Sequence, residues 1–319
     1  MKQQQGIALI TILVMVALGT ILAATIAKRQ AYSTQNTAYL MRQNQALLYS
    51  QSAEAFFIEL LKDDLEQAGD VDHLHEIWAQ PLPAFPIEDG VVQGYLQDES
   101  GKFNLNSLLN ENGEVNTASQ NVFERLLVRV GLAPQLVEAV IDWQDKDEQA
   151  VGAMGAERSY YQGRKQFSLP SNGLFQHVDE LKLVRGFEGE NFDKIRPFIT
   201  AHPTRKTQIN INTASPLLLA SIDEQISEAA VAQVLAEKKK KFEYFQDVND
   251  LWQNPIFDHV SAERKAAVTP LFGVTSSHFK AYIQVTLSDR TRFLQSDLIR
   301  KDKNVFVLQR QLLPFRLAD

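Results

Sequence analysis

Residues 7–27 run for 21 positions without a single charge, and a helix apolar on every side either lies inside a large core or spans a membrane. At 1.5 Å per residue such a run makes about 31 Å of helix, close to the roughly 30 Å of a bilayer's hydrocarbon layer. The six residues before it, Met-Lys-Gln-Gln-Gln-Gly, are short and polar. An ordinary secretory signal has a shorter apolar region and a small-x-small cleavage site, for which Ala23 or Ala27 would have to serve. The next fifty residues argue against cleavage there. Residues 20–68 contain neither Pro nor Gly and are rich in good helix formers. Tyr32, Tyr39, Ala46 and Ala53 recur every seven residues, joined by Leu40 and Leu47, and Phe56 with Leu60 and Phe57 with Leu61 continue at i, i+4. The pattern predicts one helix of about 60 residues, roughly 90 Å long, apolar all round in its first half and amphipathic in its second. A plain anchor followed by a separate helix is the competing reading. Lys2 and the terminal amine on one side balance Lys28 and Arg29 on the other, so flanking charge does not set the orientation.

Beyond the helix the chain changes character three times. Residues 73–89 carry Pro81, Pro83 and Pro86 and are expected to form a connecting loop. Residues 91–97 predict a strand, and residues 98–101 a turn. Residues 102–106 alternate like a second strand. From about 107 to 275 helical periodicity dominates, at 122–130, 134–143, 178–184, 192–199, 216–222 and 228–240. Pro134 and Pro216 suit first helical positions, the latter behind the cap candidate Ser215. The end is β again. Phe279, Ala281, Ile283, Val285 and Leu287 alternate with polar or amphipathic neighbours, a turn follows at 288–290, and strands at 291–300 and 305–312 flank Lys301-Asp302-Lys303. The plan is α+β with an α-helical insertion.

Composition narrows the function. With 319 residues there is room for two domains, or for one domain carrying an insertion. A net charge of −7 argues against a dedicated nucleic-acid binder, and the one dense basic run, Lys238 to Lys241, reads as a solvated helix end. There is no cysteine, which removes disulfides, thiol catalysis and Cys-ligated zinc. Of the histidines at 73, 75, 177, 202, 259 and 278, only His73 and His75 are close in sequence, so a zinc site would need distant carboxylates and is not expected. No G-x-S-x-G, P-loop, H-E-x-x-H or dinucleotide fingerprint occurs, so no enzyme is indicated.

The polar leader ending in Gly6, the apolar run opening Ile7-Ala-Leu-Ile-Thr-Ile-Leu-Val, and the stretch Gly-Lys-Phe-Asn-Leu-Asn-Ser-Leu from Gly101 resemble type IV pilin-like proteins. Among these the chain most resembles the minor pseudopilin K of type II secretion systems, the general secretion pathway protein K family. The resemblance implies cleavage by the prepilin peptidase between Gly6 and Ile7, and a methylated mature N-terminus at Ile7. Thr11 then falls at mature position five, where most pilins have Glu; the K pseudopilins share that departure. The implied layout is a leader (1–6), the membrane part of the helix (7–27), the rest of the helix with the first strands of a pilin-like antiparallel sheet (28–106), the α-helical insertion (107–275) and the C-terminal strands (276–319). The implied setting is the inner membrane of a Gram-negative bacterium, single-pass, with most of the chain in the periplasm. Implied partners are the minor pseudopilins I, J and H, the major pseudopilin and the inner-membrane secretion platform.

Two polar constellations stand out within the insertion. The first runs Asp142-Trp-Gln-Asp145-Lys-Asp147-Glu148, followed by Gly152, Gly155 and Glu157. Hard cations such as calcium take six to eight oxygens from a flexible loop, and carboxylates at i and i+2 with glycines nearby can supply them. The loop is not an EF-hand, since counting from Asp145 places Ala150 where the glycine should be and Ala156 at position twelve. A solvated acidic loop is the alternative. The K pseudopilins, whose insertion binds calcium, favour the site, with Asp145, Asp147 and Glu157 as ligands and Asp142 as a weaker one at the helix end. The second, Ile209-Asn-Ile-Asn-Thr-Ala-Ser-Pro-Leu217, looks like the opening of a helix-hairpin-helix (SAM-like) module, as does Leu183-Val-Arg-Gly-Phe187. The hairpin position after the first is acidic and lacks Gly, and Glu188 and Glu190 crowd the second, so both are expected to be packing elements. A bitopic membrane protein that binds DNA through these hairpins, as in DNA uptake, is the alternative function.

Overall fold

The computed structural model describes residues 5–67, 69–80, 82–163 and 169–317; residues 1–4 of the expected leader lie outside them. The first helix, α1, is unbroken from Gln5–Gln67, 63 residues, about 95 Å. Its apolar first half is bare on every side: Ile7, Leu13, Met15, Leu18 and Leu22 are all more than half exposed. The second half buries a stripe of Ala46, Ser50, Glu54, Phe57 and Leu61, the three- and four-residue spacing of one helix face.

That stripe packs on an antiparallel sheet. The strands are β1 (Phe85–Ile87), β2 (Gly90–Asp98), β7 (His278–Leu287), β8 (Arg290–Lys301), β9 (Asn304–Leu312) and β10 (Arg316–Leu317), in the order β1-β2-β7-β8 with β9 and β10 both on β8. In β7, Phe279, Ala281, Ile283, Val285 and Leu287 face α1, as their alternation requires. Gly94 sits opposite Ile283, where a Cβ would come within 3.1 Å of the Phe57 ring; its absence lets the helix lie close. β1 is a departure from the expected loop. It contains Pro86, which an edge strand tolerates because one side of its backbone needs no partner.

Between β2 and β7 lies the helical domain with its own core. Its main elements are α2 (Thr117–Arg129), α3 (Leu136–Asp142), α4 (Arg158–Gln162), α5 (Glu190–Ile195), α6 (Pro216–Ala220), α7 (Glu228–Lys241), α8 (Val248–Trp252) and α9 (Ala262–Val268). Two short parallel pairs accompany them, β3 (Phe103–Asn104) with β4 (Ile199–Thr200) and β5 (Ile209–Asn210) with β6 (Phe272–Gly273). Ser215 caps α6 by accepting from Leu218 N–H at 3.2 Å, with Pro216 at the first turn as expected. Pro134 does not begin α3, whose cap residue is Gln135. Residues Val178–Leu183 form a 3-10 turn and not an α-helix, and α4, α8 and α9 fall outside the stretches of helical periodicity.

The strand expected at 102–106 is the instructive departure. Only β3 is extended there, and Leu105–Leu108 turns into a 3-10 helix. The alternation does not separate core from solvent, because Asn104 and Asn106 are as buried as Phe103 and Leu105. Asn104 accepts from His202 N–H (3.0 Å) and donates to Thr204 O (2.8 Å); Asn106 donates to His202 O (2.6 Å) and Phe175 O (3.0 Å). These buried amides bind the segment to the helical domain, whose core contains Phe103, Leu105, Leu108 and Leu109.

The helical domain joins the sheet at the end where α1 stops. The buried Asp98 accepts from Ser100 N–H (2.7 Å), Ser276 Oγ (2.6 Å) and Thr213 Oγ1, and Asn210 donates to Ser276 Oγ (2.7 Å) and to the main chain of Asp72 (3.1 Å). Arg300 of β8 pairs with Asp64 near the end of α1 and with Asp72 beyond it. For the helix-on-sheet core, Leu61→Ala, which empties a fully buried position, is expected to cost about 2–5 kcal/mol. Chemical unfolding of the detergent-solubilised chain measures it, and a loss of less than about 1 kcal/mol would show that the stripe does not carry the packing.

Candidate metal centre

α3 ends at Asp142, and α4 begins after Glu157; between them the chain folds into a loop over an aromatic floor. Trp143 meets Tyr161 edge-on at 5.3 Å and stacks near Phe175 at 6.2 Å. Trp143 and Tyr161 are both buried, so the loop is held from beneath by packing as well as by hydrogen bonds. Asp142, fully buried, accepts from Val151 N–H at 3.1 Å, and Glu138 one turn earlier accepts from Met154 N–H at 2.7 Å. Two glycines make room for this. At Gly152, whose φ is +61°, a Cβ would strike the Glu138 carboxylate at 2.3 Å, and at Gly155 one would meet Asp142 Oδ2 at 2.5 Å. The loop is therefore wrapped around carboxylates that project from α3.

Ligand atoms of Asp142, Asp145 and Glu157 lie within 4.8 Å of one another. Asp145 Oδ1 and both carboxylate oxygens of Glu157 are buried with no hydrogen-bond partner, and so is Asn172 Oδ1, whose main chain donates to Trp143 O at 3.0 Å. Among the described residues no Lys or Arg pairs with any of the three carboxylates; the nearby Arg158 pairs with exposed Glu148 at 3.5 Å. Burial, and then the charges of Glu157, Asp142 and Asp147, push Asp145 up to about 7. Burial followed by Asp142 and Asp147 pushes Glu157 up to about 7 as well. Asp142 is raised mainly by burial, which its two main-chain hydrogen bonds oppose.

Buried oxygens without donors and carboxylates without counter-charge are the state a hard divalent cation relieves, and an all-oxygen set suits the calcium class. Asp142, Asp145 and Glu157 would hold the ion. Asp147 stands apart from that group. It is exposed and accepts from Gln149 N–H at 2.8 Å, so it shapes the loop and adds negative charge from outside. Gly152 and Gly155 are the glycines expected beside the carboxylates, whereas Glu138 and Asn172 are contributions that sequence reasoning misses. Glu138 lies one turn before Asp142 on α3, which is the available signal for it; Asn172 has none.

The hairpin-like segments are packing elements. Asn210 is buried in the junction, Asn212 holds Phe245 through paired hydrogen bonds of 2.8 and 3.0 Å, and the Gly186 N–H is taken by Glu188 at 3.0 Å. Family models described as type II secretion system protein K match residues 101–204 and 209–275, together more than half of the chain. The type II secretion system protein K of Pseudomonas aeruginosa is 31% identical across 98% of this chain and 93% of its own length. That of Aeromonas hydrophila is 28% identical across 98% and 97%. The chain belongs to the type II secretion system protein K family.

A solved relative of the fold is the GspK-GspI-GspJ complex of enterotoxigenic Escherichia coli, with a TM-score of 0.77 at 23% identity, over 88% of this chain and 99% of the matched one. The likeness is one of fold, a mixed helix-and-sheet architecture. The first K-family segment opens at residue 101, beside the turn that leads from β2 into the helical domain.

The metal-free centre has a pH signature. Asp145 and Glu157 hold their protons to about 7 when folded, above their ordinary values of 3.8 and 4.5, so the folded state binds more protons than the unfolded one between those limits. Their contribution is fully present below about pH 4 and is lost as pH rises through about 7. With chelator present, Asp145→Asn with Glu157→Gln is expected to flatten the fall of Tm between about pH 4.5 and 7.5. An unaltered slope in the double variant would show that the two carboxylates are not strained by one another.

Proposed function

We propose that this chain is a minor pseudopilin, cleaved by the prepilin peptidase after Gly6 and placed at the tip of a short periplasmic pseudopilus that supports export of folded proteins. The placement of the helical domain carries the reading. It is attached where α1 stops, at the end of the sheet away from the membrane segment, through Asp98, Ser276, Asn210 and Asp72. A subunit stacking on that end would meet the domain.

The membrane helix supports the same placement. Thr11 turns its hydroxyl back to Ala8 O at 2.9 Å and has no charge to offer a neighbour. The first acidic residue in the chain is Glu54, and it is occupied inside the subunit by Arg310 and Ser296. An unpaired ammonium in an apolar layer costs several kcal/mol. The amine of Ile7 can be neutralised by another subunit's carboxylate, but this chain has none to give in return, and it can be paired in one direction only. By its kinship with the proteins of the solved complex, its direct partners are pseudopilins of the I and J types, with the H type, the major pseudopilin and the inner-membrane platform completing the assembly.

The role is structural, and calcium belongs to it. Bound calcium supplies the positive charge that lets three neighbouring carboxylates ionise together. Glu138 holds the loop, and Asp142, which also holds it through Val151 N–H, would present oxygens to the ion together with Asp145 and Glu157. DNA uptake is disfavoured because the hairpin amides that would meet phosphate are taken by Glu188 and by Asp223, which accepts from Gln225 N–H at 2.9 Å.

Three measurements test this reading. The mass of the membrane-extracted chain is expected to correspond to a start at Ile7; a start near Ala24 or Lys28 would replace the pseudopilin with a secreted protein. Mixed with I-, J- and H-type pseudopilin domains, the periplasmic part is expected to form a stoichiometric complex and no homopolymer; stable homopolymers would overturn the tip placement. Calcium at a hundredfold excess over Kd should add about 2.7 kcal/mol to stability. Asp145→Ala or Glu157→Ala should remove most of that increment and Asp147→Ala a smaller part, and equal Tm with calcium and chelator would refute the site.

A further inference from the structure

At the end of the sheet nearest the membrane segment, two arginines face the long helix without a carboxylate. Arg290 and Arg292 stand two residues apart on β8 and so project to the same side. Arg290 lies over the Tyr39 ring of α1 at 4.9 Å and Arg292 over the Phe315 ring at 5.6 Å, the two rings being 6.1 Å apart. Arg292 is 3% exposed, and its Nε is buried with no hydrogen-bond partner. Burial lowers its pKa from the usual arginine value, an effect that Tyr39 opposes. Elsewhere the arginines that reach α1 from the sheet are answered, Arg300 by Asp64 and Arg310 by Glu54. Here the helix has nothing to offer, because Glu54 is its first carboxylate and about 22 Å of helix separates it from Tyr39. Glu88, Asp89 and Asp289 occupy turns at this end, but all are exposed, and among the described residues none pairs with either arginine.

Aromatic rings attract a guanidinium but leave its N–H donors without acceptors. A buried cation in that state burdens the folded chain. A carboxylate, which the planar fork can hold through two parallel hydrogen bonds, relieves it. We infer that Arg290 and Arg292, set between Tyr39 and Phe315, receive an Asp or Glu side chain from the long helix of a neighbouring subunit. Arg290 is half-buried and meets the carboxylate at the rim, and the inner guanidinium of Arg292 completes the pair. The inference rests on the pseudopilin reading above and adds to it the contact chemistry of one interface. Two observations choose this occupant. Leu40, Met41 and Leu48 are exposed, so the bare apolar surface of α1 continues past its membrane length, and a second helix lying along it passes Tyr39. Arg42, one turn on, is exposed as well, so the stretch is basic and complementary to an acidic side chain. Lipid phosphate is out of reach, because Tyr39 lies about 18 Å beyond residue 27 and the headgroup layer adds only about 5–8 Å on each side of the hydrocarbon.

The test mixes the full-length chain with I- and J-type pseudopilins in an uncharged detergent, and reads the affinity of the complex beside the Tm of the chain alone. Arg292→Leu is expected to weaken the complex at least tenfold while leaving the Tm of the free chain equal or higher, since it removes a buried charge that has no partner. Arg290→Gln should weaken the complex by a smaller factor. Lys303→Gln, in the turn at the far end of β8, should change neither. A purely structural arginine would do the reverse, lowering Tm and sparing the complex, and that result overturns the inference. If the leucine variant unfolds, Arg292→Lys decides: carbodiimide coupling through position 292 is expected to join the chain to an Asp or Glu of a partner helix. Coupling only to a carboxylate of its own chain, or none to a partner, overturns the inference. An effect of the variants that appears only when phosphatidylglycerol is added would assign the pair to lipid and overturn it as well. If the unaltered chain forms no complex at all, the pseudopilin reading fails and this inference with it; a complex that forms equally well with Arg292→Leu refutes the inference alone.

Discussion

One buried guanidinium fixes where the long helix ends relative to everything else. The Arg300 side chain is 4% exposed, pairs with Asp64 on α1 at 3.2 Å and with Asp72 beyond it, and lies over the Phe279 ring at 4.8 Å. Burial pushes both aspartates upward, and Arg300 is the largest influence holding them down. Such a group is a poor source of stability, since burying ions costs nearly what their attraction returns, but removing one partner typically costs about 3–5 kcal/mol. Its value here is positional. With Asp72 held, its N–H reaches Val274 O at 2.9 Å, its carbonyl receives Asn210, and its carboxylate receives Ser276 N–H. Helix end, sheet end and helical domain are thereby referred to one point.

The same helix must satisfy two solvents. Its first half presents Ile, Leu, Val and Met in all directions, a surface suited to lipid or to other apolar helices and to nothing aqueous. Its second half carries a single buried stripe, and the polar members of that stripe are not errors. Ser50 donates to Ala46 O at 2.8 Å within the helix, while Glu54 is met by Arg310 from β9 at 2.7 Å and by Ser296 from β8. A buried carboxylate that requires a guanidinium from the sheet fixes the rotation of the helix on it, which apolar packing alone leaves degenerate.

Much of this is legible in the sequence because its signals are of the period-two or heptad kind. The uninterrupted helix follows from the lack of Pro and Gly over residues 20–68, and β7 from its strict alternation, with the turns after it held by Ser288 at φ +52° and Asp302 at φ +55°. Sequence reasoning fails where a polar residue is buried for its hydrogen bonds. Asn104 and Asn106 imitate a solvent face, and nothing in their neighbours along the chain shows that His202 and Phe175 will meet them. Short 3-10 turns such as Val178–Leu183 carry helical periodicity without the length that makes an α-helix. At the acidic loop the carboxylate types are visible, but which of them converge depends on the glycine cradle. Asp147 is close in sequence and faces outward, while Glu157 is distant and faces in. The stacking of the His202 ring on that of His278 has no sequence signal at all, since it exists only because β4 ends and β7 begins at the same junction.

On the pseudopilin reading proposed above, charge placement along the chain would give an assembly its direction. Residues 1–53 carry Lys2, Lys28, Arg29 and Arg42 and no carboxylate, whereas the helical domain concentrates Asp142, Asp145 and Glu157 without a matching base among the described residues. In water such segregation would matter little, because ions screen exposed charges beyond about 10 Å. Inside an apolar helical bundle it decides what can be a neighbour. A subunit without a carboxylate near its amine accepts neutralisation and offers none, so a row of identical copies would leave every amine unpaired at several kcal/mol each. On that reading self-assembly would be opposed at the membrane end by unpaired charge and at the far end by the bulk of the helical domain. On the proposed tip placement the two obstacles would act independently, one through unpaired charge in an apolar layer and the other through the bulk of the helical domain.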